Sequence, residues 1–169
     1  KNNGTRFQQA DYFFSMYGDV NTRTVNLTEY KVGVDLSHNT LDKGVFPTEG
    51  SKQSFSISAT TPNSDSHYYK AIAETFHYFP VDTYHEYVFA VRGRVGYGDG
   101  YKKKNGIEEV LPFFDNFSLG GSEWLRGFKR NSIGPRALYR NDADTGYYES
   151  GNSVGGNAFW TATAEFIVP

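Results

Sequence analysis

The feature that most constrains this chain is a strict two-residue alternation of apolar and polar side chains in several short segments. In Tyr30–Ser37 the even positions hold apolar residues, and the odd positions hold Lys, Gly, Asp and Ser. Ser54–Thr60 repeats the pattern, with Phe55, Ile57 and Ala59 placed between hydroxyl residues. Because successive side chains of a β-strand point to opposite faces of a sheet, this period predicts strands with one apolar and one polar face.

Four further segments raise the predicted number of strands to about six. They are Ala10–Tyr17, Tyr69–Phe79, His85–Tyr97 and Ala158–Val168. The alternation is weakest in Tyr69–Phe79, where Ile72 and Phe76 share a phase with Lys70 and Glu74. The connections between strands are short and rich in Asp, Pro, Gly and Ser, as turns should be.

One connection, at about 98–156, is far longer than an ordinary loop. Loops of such length without structure of their own are usually functional or disordered. At its start, "GYGDG" (Gly96–Gly100) is interpreted as the end of a strand that runs into a flexible loop. The run Lys102–Lys104 is interpreted as a solvated turn.

Composition argues against several classes of function. The chain has no cysteine, which excludes disulfides and thiolate metal sites. Its four histidines lack the spacing of a metal site, and its net charge of -2 argues against nucleic-acid binding. Neither Glu108 and Glu109 nor Ser66 and His67 come with the base and orienting group that activate a nucleophile. We therefore expect no catalysis, no cofactor, no metal and no nucleic-acid partner.

Two architectures fit alternating strands of this kind. A soluble β-sandwich would turn the apolar faces toward a core, whereas a transmembrane barrel would turn them toward lipid and the polar faces toward a lumen. Strand lengths of about 9–11 residues and the contrast of tight turns with one long loop favour the barrel. So do the charged residues in mid-strand on the polar face, namely Lys31, Asp35, Glu86, Arg92 and Arg94. Arg92 and Arg94 are expected to line a wet lumen without specific partners.

Six strands are too few to close the smallest transmembrane barrel, which needs about eight. The chain also opens at Lys1 with neither a methionine nor an apolar leader segment. We therefore expect either a mature protein or an excised piece of a longer one, and the strand count favours a piece.

Four stretches resemble one known family. They are "LDKGVFPTEGS" (Leu41–Ser51), "GRVGYGDG" (Gly93–Gly100), "LPFFDNFSLGGSEWLRGF" (Leu111–Phe128) and "GGNAFWTATAEFIVP" (Gly155–Pro169). Together they closely resemble the BamA family of outer-membrane protein insertases of Gram-negative bacteria. The family's [VI]-R-G-[FY] motif reads here Leu125-Arg126-Gly127-Phe128, with Leu as a mild departure in the first place.

The resemblance implies an all-β, antiparallel fold that forms about six strands of a transmembrane β-barrel of about sixteen. Residues 1–169 would be a single fragment of that barrel in the bacterial outer membrane, and about 98–156 would be its longest extracellular loop, folded back into the barrel. The periplasmic POTRA repeats and first barrel strands would precede it. The closing strands would follow it.

The resemblance also assigns roles to the loop motif. An arginine placed inside a barrel needs an acidic partner, because an unpaired buried charge is costly and a charge-assisted carboxylate contact is strong. Glu165 is on the polar face of the last strand and matches the family's acidic partner for Arg126; the second acid of the family lies on a later strand. Gly127 would permit close approach or positive φ, Phe128 would pack the tip against the wall, and Trp124 would anchor nearby.

By the same resemblance, the function would be to fold and insert β-barrel proteins into the outer membrane. The partners would be unfolded outer-membrane proteins, the lipoproteins of the assembly complex and outer-membrane lipid. An isolated fragment would also self-associate through its open strand edges. Three alternatives remain open: a two-partner secretion transporter that exports a polypeptide, a soluble β-sandwich binding module, and a plain porin.

Overall fold

The computed structural model describes residues 18–19, 24–104, 106–122, 125–140 and 147–168. The predicted strand Ala10–Tyr17 and the predicted anchor Trp124 lie outside these residues. The described elements, in chain order, are β1 (Gly18–Asp19), β2 (Thr24–Val25), β3 (Lys31–Asn39), β4 (Gly50–Thr60), β5 (Tyr68–Pro80), β6 (Val88–Gly100), β7 (Lys103–Lys104), β8 (Ile107–Glu108), a 3-10 helix (Phe113–Asp115), β9 (Arg136–Arg140), β10 (Tyr147–Ser153) and β11 (Ala158–Ile167).

Five long strands form one open antiparallel sheet in the order β11-β6-β5-β4-β3. Each strand pairs with its neighbour in sequence, so the sheet is an up-and-down meander in which the long connection joins β6 to β11. The sheet confirms the predicted all-β, antiparallel class, and β3, β4 and β5 are longer than the alternation alone indicated. No helix in the described ranges is both long and apolar enough to cross a membrane.

One face of the sheet, here called the apolar face, carries large exposed apolar side chains across all five strands. A directly paired row runs from Leu36 through Phe55, Ala73 and Val95 to Trp160. Leu36 is 62% and Trp160 76% exposed. A patch this extensive is rare on a soluble monomer, so the apolar face requires apolar surroundings.

The opposite, polar face carries the charged residues, and the register explains the noisy alternation of β5. Lys70 and Glu74 lie on the polar face together with Ile72 and Phe76, as their shared phase indicates. Glu74 is directly opposite Arg94 of β6, and its Oε1 lies 2.5 Å from Nε of that arginine. Opposite charges paired across adjacent strands stabilise this register.

Two aspartates hold the connections at the end of the sheet remote from the long loop. Asp42 accepts hydrogen bonds from the backbone N–H of Thr48 at 2.9 Å and from its hydroxyl at 2.6 Å. The hydroxyl bond is the largest cause that lowers the pKa of the Asp42 carboxyl. The side chain thus closes the β3–β4 turn by satisfying backbone groups that have no strand partner.

Asp82 does the same between β5 and β6, and it corrects the predicted start of β6. Asp82 accepts hydrogen bonds from the backbone N–H groups of Tyr84 at 3.0 Å and Tyr87 at 2.8 Å, and His85 has a φ of 58°. Because these residues form a turn, β6 begins at Val88 and not at His85. The Tyr87 bond is the largest cause that lowers the pKa of Asp82.

The long connection carries structure of its own, and its first part packs on the sheet. It contains the β7–β8 and β9–β10 hairpins, and Leu111 and Glu109 are only 3% and 4% exposed. Gly96–Gly100 forms the end of β6, as the sequence indicated, and the strand continues through Gly100, beyond the predicted end at Tyr97. A Cβ on Gly100 would stand 2.1 Å from the carbonyl oxygen of Glu109, so this end of the strand is closely covered.

Candidate functional site

The base of the long loop docks on the polar face through Phe117. Its backbone N–H donates to the carbonyl of Gly156 at 2.7 Å, and the N–H of Gly156 donates back at 2.6 Å. The Phe117 ring lies 4.8 Å from the ring of Phe159 on β11. Gly96 of β6 leaves room for this pair, because a Cβ there would stand 2.3 Å from the Phe159 ring. The loop is therefore fixed to one side of the sheet by backbone and aromatic contacts.

Two residues before Phe117, Asp115 lies at the centre of a charged cluster. Its Oδ2 accepts a hydrogen bond from Lys31 Nζ of β3 at 2.7 Å and another, short one from the hydroxyl of Tyr68 on β5. Lys70 Nζ is 3.6 Å from Oδ1 and donates to the Asp115 carbonyl at 2.8 Å. Burial raises the pKa of the Asp115 carboxyl, but the hydrogen bonds from Lys31 and Tyr68 outweigh it and hold the pKa below its usual value.

The cluster extends to Glu29, the residue that precedes β3 by two positions. Its carboxylate accepts hydrogen bonds from Ser66 at 2.5 Å and Tyr68 at 3.2 Å, and it lies 3.3 Å from Lys31 Nζ. Two lysines thus face two carboxylates where the loop base crosses the strand ends. The sequence analysis missed the cluster, although "PFFDNF" places an acid among apolar residues, which is the signal that could have revealed it.

Beyond Phe117, the loop narrows into a compact turn that presents the predicted motif. Gly121 N–H donates to the carbonyl of Phe128 at 3.0 Å, and Leu125 N–H donates to that of Gly121 at 3.0 Å. Gly127 has a φ of 88°, a backbone conformation that favours glycine. Leu125, Arg126, Gly127 and Phe128, here called the loop tip, therefore lie in one turn. The Phe128 ring is 55% exposed.

The structure brings the loop tip to the predicted wall residue. Arg126 Nη1 lies 3.6 Å from Glu165 Oε1, with side-chain exposures of 72% and 23%. Glu165 pairs with Ala90 and is seven residues beyond Ala158, where β11 begins. At about 3.3 Å per residue, the loop tip reaches a level about 23 Å along the strand. The contact is longer than a hydrogen bond and is therefore electrostatic in kind.

Glu165 is shared with a second arginine that the sequence analysis left without a partner. Arg92 Nη2 of β6 lies 2.5 Å from the same Oε1. The expectation that Arg92 and Arg94 line a wet lumen without specific partners was wrong, because Arg94 in turn pairs with Glu74. The side chains of adjacent strands lie close enough on one face for such pairs, but the alternation does not say which ones form.

Other candidates from the sequence have structural partners. His67 Nδ1 and Glu109 Oε2 are 2.9 Å apart, which joins the β4–β5 connection to the loop base. In the ranges that the structure describes, no group of three or more His, Asp or Glu residues could hold a metal ion.

Comparison with known proteins also indicates a β-barrel protein of the outer membrane. Residues 1–169 match the Omp85 superfamily domain. The chain is 29% identical over 142 residues to the outer membrane protein assembly factor BamA of Neisseria meningitidis serogroup B, which covers 83% of this chain and 16% of that protein. It is also similar to the crystal structure of BamA from Haemophilus ducreyi lacking POTRA domains 1-3, with a TM-score of 0.82 and 30% identity over 100% of this chain and 32% of that chain.

The chain therefore spans only a part of each relative, 16% of one and 32% of the other. Within that part, the open antiparallel sheet with its exposed apolar face corresponds to a segment of a barrel wall. The chain belongs to the Omp85 superfamily and forms part of a β-barrel protein of the bacterial outer membrane.

Proposed function

We propose that this chain belongs to the central subunit of the outer-membrane protein assembly machinery, which folds and inserts β-barrel proteins. The observation that carries the proposal is the loop tip held against Glu165, in a chain similar to two BamA proteins. The proposed partners are unfolded outer-membrane proteins, the lipoproteins of the assembly complex and outer-membrane lipid.

We further propose that residues 1–169 are a single fragment of the barrel and that about 98–156 form its extracellular loop. The support is the difference between the two ends of the sheet. One end has turns closed by Asp42 and Asp82, and the other carries the long loop. Transmembrane barrels have short periplasmic turns and longer extracellular loops. In isolation, β3 and β11 are edges of the described sheet, and we expect the fragment to self-associate through them.

In this proposal the Arg126–Glu165 contact braces the barrel wall against the loop. Because Arg126 is 72% exposed, solvent screens the pair, and such pairs typically contribute only about 0–1 kcal/mol. The contact therefore sets the register of the loop tip on β11 more than it holds the loop there. The contact thus acts by positioning the loop tip and adds little to the stability of the barrel. Its loss should therefore slow substrate assembly without unfolding the barrel.

Charge reversal in the full-length protein tests the proposal. In proteoliposomes, Arg126→Glu places a second carboxylate beside Glu165, so we expect slower insertion of a denatured outer-membrane protein substrate. Glu165→Arg on that background restores an opposite pair at the loop tip, but it also faces Arg92, so we expect partial recovery. Arg130→Glu changes an exposed arginine of the same loop and serves as the matched control.

Insertion at the rate of the unmodified protein in Arg126→Glu would refute the brace. Substrate that is released across the vesicle membrane, and not folded into it, would instead favour a transporter of the two-partner secretion kind. The readout should therefore separate protease-resistant, membrane-inserted substrate from substrate released into the vesicle lumen.

A further inference from the structure

We propose that Asp115 is the positioning residue that fixes how the loop tip docks on the polar face. This inference rests on the bracing function proposed above. Asp115 is at the end of the 3-10 helix of the loop, and its carboxylate contacts side chains of two strands, β3 and β5. Among the described residues, the hydrogen bonds and ion pairs of Asp115 are with Lys31, Tyr68 and Lys70 and not with the loop tip, so its effect on the tip is transmitted through the loop.

The loop tip needs an anchor elsewhere. Its ionic contact with Glu165 is 3.6 Å long and largely solvent-exposed on the arginine side. Exposed pairs of this kind contribute little to stability. In addition, Glu165 already has a shorter contact with Arg92, so it keeps a partner when the tip departs. The restraint that keeps the tip in place must therefore come mainly from the base of the loop.

Besides the His67–Glu109 contact, two anchors of the base lie at different places across the sheet. Phe117 is attached at β11 by the Phe159 ring and at Gly156 by paired backbone hydrogen bonds. Asp115 is attached toward the other edge of the sheet, at β5 and β3. A loop fixed at Phe117 alone could swing about that point, whereas a second anchor across the sheet also fixes its direction. Asp115 thereby determines where a tip some ten residues further on can lie.

The chemistry of the cluster makes the carboxylate difficult to replace. Lys70 and Glu29 side chains are 22% and 15% exposed, and Asp115 is 26% exposed. Without the Asp115 carboxylate, Lys31 would keep Glu29 at 3.3 Å, whereas Lys70 would lose the carboxylate oxygen that lies 3.6 Å from its Nζ. A partly buried lysine that loses its partner regains solvation most readily if the loop base lifts away. Lys70 also lies 4.5 Å from the centre of the Phe117 ring, which couples the two anchors.

Distance measurements on the full-length protein in proteoliposomes test the proposal. The 169-residue chain has no cysteine, so spin labels can be placed at two introduced cysteines after any elsewhere in the protein are replaced by serine. Position 129 is next to the loop tip, and position 43 is in the β3–β4 turn, at the end of the sheet remote from the loop base; both residues are exposed lysines. The distribution of distances between them reports how deeply the tip docks.

We expect Asp115→Asn to add a second, longer distance, with the undocked fraction raised about tenfold through the loss of charge-assisted hydrogen bonds. Asp115→Glu keeps the charge and should restore most of the docked population. Glu108→Gln is the matched control, because Glu108 is an acid of the same loop whose pair with Lys103 is 3.1 Å long and exposed.

An Asp115→Asn distribution equal to that of Glu108→Gln would overturn the proposal, even if the protein melted at a lower temperature. If Asp115→Asn does not fold, Tyr68→Phe removes the hydroxyl that contacts both Asp115 and Glu29 and keeps every charge. It should raise the same longer population by a smaller factor, and no rise there would equally overturn the inference.

The two proposals can fail separately. A displaced tip with unimpaired substrate insertion would support positioning by Asp115 and refute the brace. Defective insertion in Arg126→Glu, together with unchanged distances in Asp115→Asn, would support the brace and refute positioning by Asp115.

Discussion

The aromatic contact between Phe117 of the loop and Phe159 of the barrel wall requires that position 96 carry no side chain. This glycine lies on the polar face of β6, and a Cβ there would stand 2.3 Å from one Phe159 ring carbon and 3.1 Å from one Phe117 ring carbon. Carbon atoms pack best at about 3.5–4.0 Å, so Gly96→Ala must displace the Phe159 ring. The displaced ring can no longer keep its 4.8 Å contact with Phe117.

The cost can be estimated from two effects. Overpacking of this kind costs about 1–3 kcal/mol, and the lost aromatic pair is worth about 0.5–1.5 kcal/mol, so the expected penalty is about 1.5–4.5 kcal/mol. Alanine itself favours a strand over glycine by about 0.5–1 kcal/mol. Gly93→Ala isolates that gain, because Gly93 lies on the apolar face of the same strand and its Cβ would meet nothing closer than 3.4 Å.

The assay compares both variants in the full-length protein. Protease cleavage of the long loop under native conditions should accelerate by about one to two orders of magnitude or more in Gly96→Ala, since each 1.4 kcal/mol is a tenfold change in the docking equilibrium. Gly93→Ala should be cleaved at the rate of the unmodified protein. Equal cleavage of the two alanine variants would show that the Phe117–Phe159 pair does not hold the loop.

Two further predictions concern charge. Because the folded pKa of Asp115 is below its usual value of about 3.9, its contribution to loop docking should be constant from neutral pH to about pH 5 and be lost as the pH falls through the folded pKa. Distances between the spin labels followed against pH check this, with Asp115→Asn separating Asp115 from Glu29, Lys31 and Lys70 nearby. Arg92→Gln and Arg126→Gln should have non-additive effects on unfolding in urea, because both arginines contact one oxygen of Glu165.

The strands of the sheet could be predicted from the sequence because the alternation that indicates a strand lies within that strand. Each strand alternates by itself, and only in β5 do Ile72 and Phe76 blur the pattern by lying on the same face as Lys70 and Glu74. The ends of the strands were harder to predict. Asp82 accepts hydrogen bonds from residues further along the chain, and the resulting turn moves the start of β6 to Val88. Tyr87 fits the alternation, but the alternation does not show that its N–H is bound by the Asp82 side chain.

The loop tip and Glu165 were identified through the family motif, and the alternation supported only the face on which Glu165 lies. The second partner of Glu165 could not be identified in this way. Whether Arg92 pairs with Glu165 or stays in water depends on diagonal neighbours across β6 and β11, which are set by register. The register in turn depends on the whole strand pair.

The glycines of β6 lie in a strand although glycine disfavours strands, and their spacing has a structural reason. Gly96, Gly98 and Gly100 recur at every second position, and glycine weakens a strand interior because it has no side chain to pack. The series was interpreted as the end of a strand, and β6 does end at Gly100. In the structure all three lie on one face, and a Cβ on them would meet loop residues, namely Phe117 at 3.1 Å, Leu111 at 3.1 Å and Glu109 at 2.1 Å, respectively. The alternating glycines at the end of β6 therefore mark the path along which the long loop covers the sheet.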